Sequence, residues 1–385
     1  MMSPAQSLVI VGSGLAAWTL AREFRKHDAQ TPVTLITRDN GDFYSKPMLS
    51  NALSSGKTAA QLVSATSAAM AQQLGVKVMA HTGVTAIDPV AHRIITSQGP
   101  LAYGRLVLAL GADPVRPDLQ GDAAQQVLAI NDLQDYTTFR QRLEEAHQVT
   151  IIGAGLIGCE FANDLVHAGY QVDVIDPGTQ PLGRLAPPVA GEQVQQALTR
   201  IGVRFHFGTS AHAVHVAPKG LQVELANGQR LSSDLVLSAV GLRPRVALAQ
   251  AAGLKTARGI AVNRQLQTSQ PDIFALGDVA EVEGLVLPYV MPLMHEARTL
   301  AAHLAGQSAM LRYPAMPVVV KTPAIPVVVS TQAAGTTGRW LIHSDTDGVD
   351  ARFIDSDGAL LGFALTGLAT TEKNNLQKSL PAVLA

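Results

Sequence analysis

Two segments of this chain repeat one design, and a polypeptide that carries it twice has few ways to fold. SLVIVGSGLAAWTLAREFRK (7–26) and VTIIGAGLIGCEFANDLVHAG (149–169) each run from an apolar strand through a glycine turn into an amphipathic helix. Each leads into a second strand, within TPVTLITRD (31–39) and YQVDVID (170–176). A strand, a crossover helix and a parallel strand make a βαβ unit. The expected fold class is therefore α/β, with two Rossmann-like nucleotide-binding domains. WLIHS, ARFIDSDGALLGFALTG and the helical TEKNNLQKSL add a small α+β C-terminal domain.

The glycine spacing carries chemistry. In the first unit Gly12, Gly14 and Ala17 stand as G-x-G-x-x-A: Gly12 permits the tight turn, Gly14 leaves room for a pyrophosphate, and Ala17 lets helix and strand pack closely. The helix then opens with free N–H groups and its positive dipole end, which places Ser13, Leu15 and Ala16 in the predicted phosphate-binding turn. Asp39, at the end of the second strand, is placed to hold ribose hydroxyls. The second unit has Gly153, Gly155 and Gly158 in full G-x-G-x-x-G, with Leu156 and Ile157 in its turn and Asp176 closing its second strand. An acid there accepts bonds from two free ribose hydroxyls and repels an added phosphate, so NADH rather than NADPH is expected. A plain strand–helix turn, and a solvated acid before Pro177, are the alternative readings of these residues.

Other function classes are narrowed by composition. In 385 residues, 29 basic groups nearly cancel 30 acidic ones, and no field is predicted that would draw in nucleic acid or an anionic membrane. No apolar run approaches the ~20 residues a spanning helix needs. The N-terminus lacks a basic region and cleavage site, so a cytoplasmic protein is expected. The single cysteine, Cys159, excludes an intramolecular disulfide and with it an electron relay through a dithiol. His81, His206, His295 and His343 form no metal-binding spacing, and no metal is expected.

TSQPDIFALGD (268–278) adds a third signature, a short buried strand ending in Gly277-Asp278. With both glycine turns and this Gly-Asp in order, nearly the whole chain resembles the pyridine-nucleotide-disulfide-oxidoreductase superfamily. That resemblance implies FAD in the first fold and NADH in the second. It implies that Asp278 bonds the ribityl chain, with Val84 also at the FAD. RLVLALGADP is similar to the family's A-T-G segment at Ala109 and Gly111, with Leu110 in place of threonine; DLVLSAVGLRPR is similar to the segment closing the NAD fold at Gly241. The boundaries it suggests are 1–113 with 246–313 for FAD, 114–245 for NADH and 314–385 for the C-terminal domain. Proline-rich stretches at 112–121 and 312–329 read as the crossings.

Within the superfamily, FYSKPMLS (43–50) has Lys46-Pro47 where thiol-using members place cysteine, and it resembles reductases serving iron-sulfur or rubredoxin partners. The resemblance puts Lys46 at the flavin, paired with Glu160 of G-x-G-x-x-G-x-E. It puts Lys321, from VVVKTPAIPVVV, beside the flavin too, and Val290, at the start of a long helix, against the ring. Surface positions for Lys46, Glu160 and Lys321 are the alternatives. The implied activity is an NADH-dependent FAD reductase delivering single electrons to rubredoxin, as in bacterial alkane hydroxylation, and acting as a monomer. Flavorubredoxin or ferredoxin reduction is the alternative, and a non-turnover FAD/NADH sensor is the reading from another class. Rubredoxins are acidic as a family, which makes Arg243, Arg245, Lys373 and Lys378 candidates for a basic docking rim.

Overall fold

The structure is a computed structural model and describes residues 7–333 and 335–385. Two parallel sheets dominate it. The first has the strand order Ile273–Ala275, Arg105–Leu108, Leu8–Val11, Val33–Ile36, Val76–Met79. Leu8–Val11 is buried along its whole length in a core shared with helices and with meander residues such as Ile87 and Ile94, which is why it reads as an unbroken apolar run rather than an alternation. Helix Leu15–Arg25 crosses to the second strand, and the long helix Val290–Leu304 packs along it, sharing a core of Ala17, Leu20, Ala21, Ala297, Leu300 and Ala301. An antiparallel meander, Val84–Asp88, Arg93–Thr96 and Gly99–Ala102, flanks this sheet.

The second sheet has the order Val203–Phe207, Gln171–Asp176, Gln148–Ile152, Leu235–Ser238, all parallel. Its own meander is Ala211–Val216, Leu221–Leu225 and Arg230–Ser233. The chain enters and leaves this part through two short strands, Ala112–Pro114 and Leu242–Pro244, paired antiparallel with each other. A double connection of this kind restrains one sheet relative to the other more than a single linker does.

Five antiparallel strands make the C-terminal sheet, ordered Val318–Val320, Val327–Ser330, Leu360–Thr366, Val349–Ile354, Arg339–Ser344. The segment 312–329, expected as a crossing, supplies its first two strands instead. The correction has a simple cause: Pro317 and Pro326 each stand immediately before a valine strand, and Pro323 lies in the turn between them, so no proline removes a ladder N–H. One face of this sheet (Val320, Val327, Val329, Val349, Ala364) shares a core with the second parallel sheet, and the other (Val328, Phe363, Leu365) is covered by Leu376 of the terminal helix Lys373–Ser379. No helix among the described residues is long and apolar enough to cross a membrane.

Candidate functional site

Both glycine turns are built for a group that comes from outside the chain. Gly12 takes φ +123° and Gly153 φ +108°, conformations that favour glycine. A Cβ at Gly12 would overlap the carbonyl oxygen of Ala109; one at Gly153 would lie 2.7 Å from that of Ala239; and one at Gly158 would overlap the carbonyl of Gly153. These three glycines serve close packing. Gly14 and Gly155 differ, since a Cβ on either would meet nothing within 4 Å. Each is the N-cap of its helix, has extended backbone, offers no capping side chain, and is followed by a first turn without an acid. Elsewhere in the chain, Asp132, Thr58 and Thr66 cap their helices with side-chain oxygens. Four N–H groups at a helix start need acceptors. At Leu15–Ala16 and at Leu156–Ile157 those donors and the open space fit a pyrophosphate, whose oxygens would be the acceptors.

The acids sit where a ribose would need them. Asp39 Oδ1 accepts hydrogen bonds from Ser13 Oγ (2.9 Å), Thr37 Oγ1 (2.6 Å) and Gly41 N–H (2.9 Å), and the residue is exposed. Asp176 accepts Ala154 N–H on Oδ2 and Gly178 N–H on Oδ1, both at 2.7 Å. It thereby ties the second strand to the glycine turn, and each oxygen keeps a lone pair for a hydroxyl. Ala154 is held further by its carbonyl, which accepts Leu182 N–H at 2.9 Å and the thiol of Cys159 at 3.3 Å. Cys159 is wholly buried, and desolvation pushes its thiol far above the usual cysteine range, so it is no nucleophile.

Across the first turn lies Gly277, at φ +76°, with Ala16 so close that a Cβ would come within 2.9 Å of its methyl. Asp278 follows. Burial raises its carboxyl above the usual range, with Lys46 and Arg245 opposing, and its oxygens have no hydrogen-bond donor among the described residues. A half-buried carboxylate without a donor fits a polyol chain such as ribityl. The Lys46 ammonium is correspondingly lowered, first by burial, with Asp278 opposing. A Cβ added at Gly111 (φ +70°) would lie 4.0 Å from the Arg245 guanidinium, which bonds Asp113 (2.6 Å) and the Leu110 carbonyl (2.9 Å). Arg245 is thus committed to this cleft and leaves the proposed rim, where Arg243 and Lys378 are exposed. Val290, with Met291 beside it, is an exposed apolar residue at the uncapped start of its helix. Val84 opens the first meander, and Gly241 (φ +118°) opens the return crossing.

One expected contact is different. Lys46 Nζ donates to Asn131 Oδ1 at 3.1 Å, and Glu160 pairs with Lys321. The Glu160–Lys321 pair is 2.8 Å long; Glu160 is completely buried and also accepts Lys321 N–H (2.9 Å) and the Ser50 hydroxyl (2.5 Å). Lys321 Nζ completes the cluster on Ser50 Oγ (2.9 Å) and the Pro47 carbonyl. The reason is topological: the turn of the C-terminal hairpin delivers Lys321 onto the helix Leu156–His167, whereas Pro47, at the start of the short helix Lys46–Asn51, fixes the backbone that carries Lys46. Asn131 and Ser50 are therefore site residues that sequence reasoning missed, and Arg245, expected at the docking rim, lies in the cleft instead. Ser50 and Arg245 lay inside motifs, and Asn131 did not.

Residues 6–303 match the family described as pyridine nucleotide-disulphide oxidoreductase, and 310–380 match the rubredoxin binding C-terminal domain. The chain belongs to the pyridine nucleotide-disulphide oxidoreductase family. It is an oxidoreductase by that membership, and its single, buried cysteine forms no redox disulfide within the chain. Among its relatives is a rubredoxin-NAD(+) reductase of Alcanivorax borkumensis, 50% identical over 98% of this chain and 99% of that one. A nitric oxide reductase FlRd-NAD(+) reductase of Aeromonas salmonicida is 39% identical over 98% and 97%. The solved ferredoxin reductase for the CYP199A2 system of Rhodopseudomonas palustris superposes with TM-score 0.88 at 27% identity, covering 98% and 96% of the two chains.

Proposed function

We propose that this protein binds FAD in its first nucleotide fold and NADH in its second, and reduces rubredoxin one electron at a time. One observation supports the reading: a C-terminal domain matching a rubredoxin-binding family seats Lys321 on the buried Glu160 and on Ser50, between two parallel sheets that each lead into a helix start without a capping side chain. FAD, when bound, supplies the exchange between a two-electron donor and a one-electron acceptor. The chain's own residues would do the rest. Gly12–Ala16 and Asp39 hold the FAD pyrophosphate and ribose, Asp278 takes the ribityl, and Ala109, Gly111, Pro47 and Val290 shape the ring pocket. Lys46 supplies positive charge to the cleft, with Asn131 fixing its head. Gly153–Gly158 and Asp176 hold NADH and disfavour NADPH.

The antiparallel crossing at 112–114 and 242–244 supports treating 1–113 with 246–313, 114–245 and 314–385 as three units. A net charge of −1 supports a reading without nucleic acid, and we take the chain to work as a cytoplasmic monomer. The test is anaerobic mixing of the yellow holoprotein with NADH, then with rubredoxin. Rapid bleaching by NADH and recolouring by rubredoxin are expected; flavin that ignores NADH would reject the assignment. The Aeromonas relative gives flavorubredoxin reduction a specific claim as second reading. Turnover rates with rubredoxin, flavorubredoxin and ferredoxin, measured side by side, decide between them.

A further inference from the structure

Glu296 has no part in the account above, yet it is the acid most thoroughly removed from water near the first fold. It lies on the helix Val290–Leu304 and is 3% exposed. Its Oε2 accepts Gly277 N–H at 2.5 Å and its Oε1 accepts the Tyr313 hydroxyl at 2.7 Å. Gly277 is the residue before Asp278, and a side chain there would run into the Ala16 methyl. Tyr313 stands just before the C-terminal sheet, and its backbone exchanges both hydrogen bonds with Leu384 near the end of the chain. A single carboxyl therefore joins the long helix, the Gly-Asp turn and the link to the last domain.

We propose that Glu296 is a positioning residue for the FAD site, holding Asp278 and the long helix in register, and that its ionisation makes FAD affinity depend on pH near neutrality. The inference rests on the first fold being the FAD site. Burial pushes the Glu296 carboxyl up to about 7; the bonds from Tyr313 and Gly277 oppose this, and Asp278 adds to it. The groups facing it are few. Asp278 comes from the turn and Tyr313 from the link, while the first helix presents Ala17, Leu20 and Ala21 to the same core. On its own helix His295 and the exposed Arg298 are the nearest titratable neighbours in sequence, His303 lies two turns along on the same side and packs against Phe274, and Arg105 reaches only the far end, at the Leu304 carbonyl. Both histidines are lowered from their usual value, so neither accounts for a step at about 7.

The sign follows from the direction of the shift. A carboxyl raised in the folded state favours that state while protonated, and the contribution is lost as pH rises through about 7. An ionised Glu296 beside Asp278 also repels an anionic pyrophosphate ligand, so FAD and a proton bind together. Protonation need not break the contacts, because the Tyr313 hydroxyl can accept from a Glu296 O–H while Gly277 still donates to the other oxygen.

The experiment measures the dissociation constant of oxidised FAD from apoprotein between about pH 6 and about pH 8.5, with apoprotein melting alongside. Oxidised FAD itself has no group that titrates in this range. Wild type is expected to lose about tenfold in affinity across it, the equivalent of one unit of linked shift. E296Q should flatten the profile, and Y313F, which removes a donor to the charged form, should move the midpoint upward. Equal profiles for wild type and E296Q, with FAD bound by both, overturn the role of Glu296 alone. An apoprotein that binds no FAD at any pH overturns the FAD site and this inference together.

Discussion

Gly155→Ala separates recognition from folding, because the structure gives that residue nothing to touch. Its backbone (φ −73°, ψ −169°) is open to any residue, and an added methyl would meet no heavy atom within 4 Å. Removing glycine's freedom from the unfolded chain should stabilise the protein by ~0.4–1 kcal/mol, while alanine's weaker N-capping takes back a similar amount. The net change in melting should be small. The methyl nevertheless stands in front of the free N–H groups of Leu156 and Ile157. A phosphate pushed off one or two such charge-assisted bonds loses ~1.5–3 kcal/mol, a rise of roughly 10- to 100-fold in the NADH dissociation constant.

The assay is a titration of the oxidised holoprotein with NAD(+), or of rapid flavin bleaching against NADH concentration, together with a thermal melt. Gly158→Ala is the matched control, since its methyl would overlap the Gly153 carbonyl and must distort the turn itself. It should lose stability by ~1–3 kcal/mol or more as well as binding. If Gly155→Ala binds nucleotide within twofold of wild type, the open space before that helix is not the pyrophosphate site.

Three further outcomes are expected. Lys321→Met leaves the buried Glu160 carboxylate without its cation and should cost ~2–4 kcal/mol in chemical denaturation, the lower part of the usual range because Lys321 keeps 28% of its side chain in solvent. Adding Glu160→Gln to it should restore most of that, whereas Lys46→Met, losing a bond to neutral Asn131 and an attraction to Asp278 without a hydrogen bond, should cost ~1 kcal/mol; equal losses for the two lysines would reject the pairing. Asp176→Ala should weaken NADH by ~1–3 kcal/mol and lower melting too, since two backbone N–H groups lose their acceptor; an effect on binding without one on melting would mean the acid does not brace the turn. Rubredoxin reduction should slow as salt rises, with Arg243→Ala and Lys378→Ala each reducing that dependence; a salt-independent rate removes the basic rim.

The features that were readable from sequence are those fixed by local geometry. A glycine at φ +123° against a neighbouring carbonyl tolerates no other residue, so the turn announces itself in the sequence. The same holds for the alternation from strand to helix period. Pairing through space is another matter. Lys46 and Lys321 look alike beside an acid, and nothing local says that the hairpin of Val318–Ser330 folds its turn over Glu160. The valine triplets of that hairpin were disguised by four prolines, which punctuate strands as readily as linkers. Glu296 escaped for a similar reason: on a long helix a buried acid and a solvated one have the same neighbours in sequence. Only the Tyr313 hydroxyl and the Gly277 amide distinguish them.

The helix Leu156–His167 explains why the swapped lysine matters for electron flow. Its N-terminus follows the second glycine turn, and one stripe of its side, Glu160, Asn163 and Asp164, is buried and polar. Such residues at i, i+3 and i+4 share a face. Each finds its partner outside the second fold: Glu160 takes Lys321 and Ser50, Asn163 accepts Ala324 N–H at 3.1 Å, and Asp164 accepts the amides of Leu53 and Ser54 at 2.9 and 3.0 Å. An apolar stripe would pack as well but would slide; charged hydrogen bonds set a register along the axis. The helix that begins at the second glycine turn is thereby fixed both to the short helix bearing Lys46 and to the C-terminal domain. Under the proposed function, electron donor, flavin cleft and acceptor domain would all be referenced to this one helix, so an error in its position would displace all three distances at once.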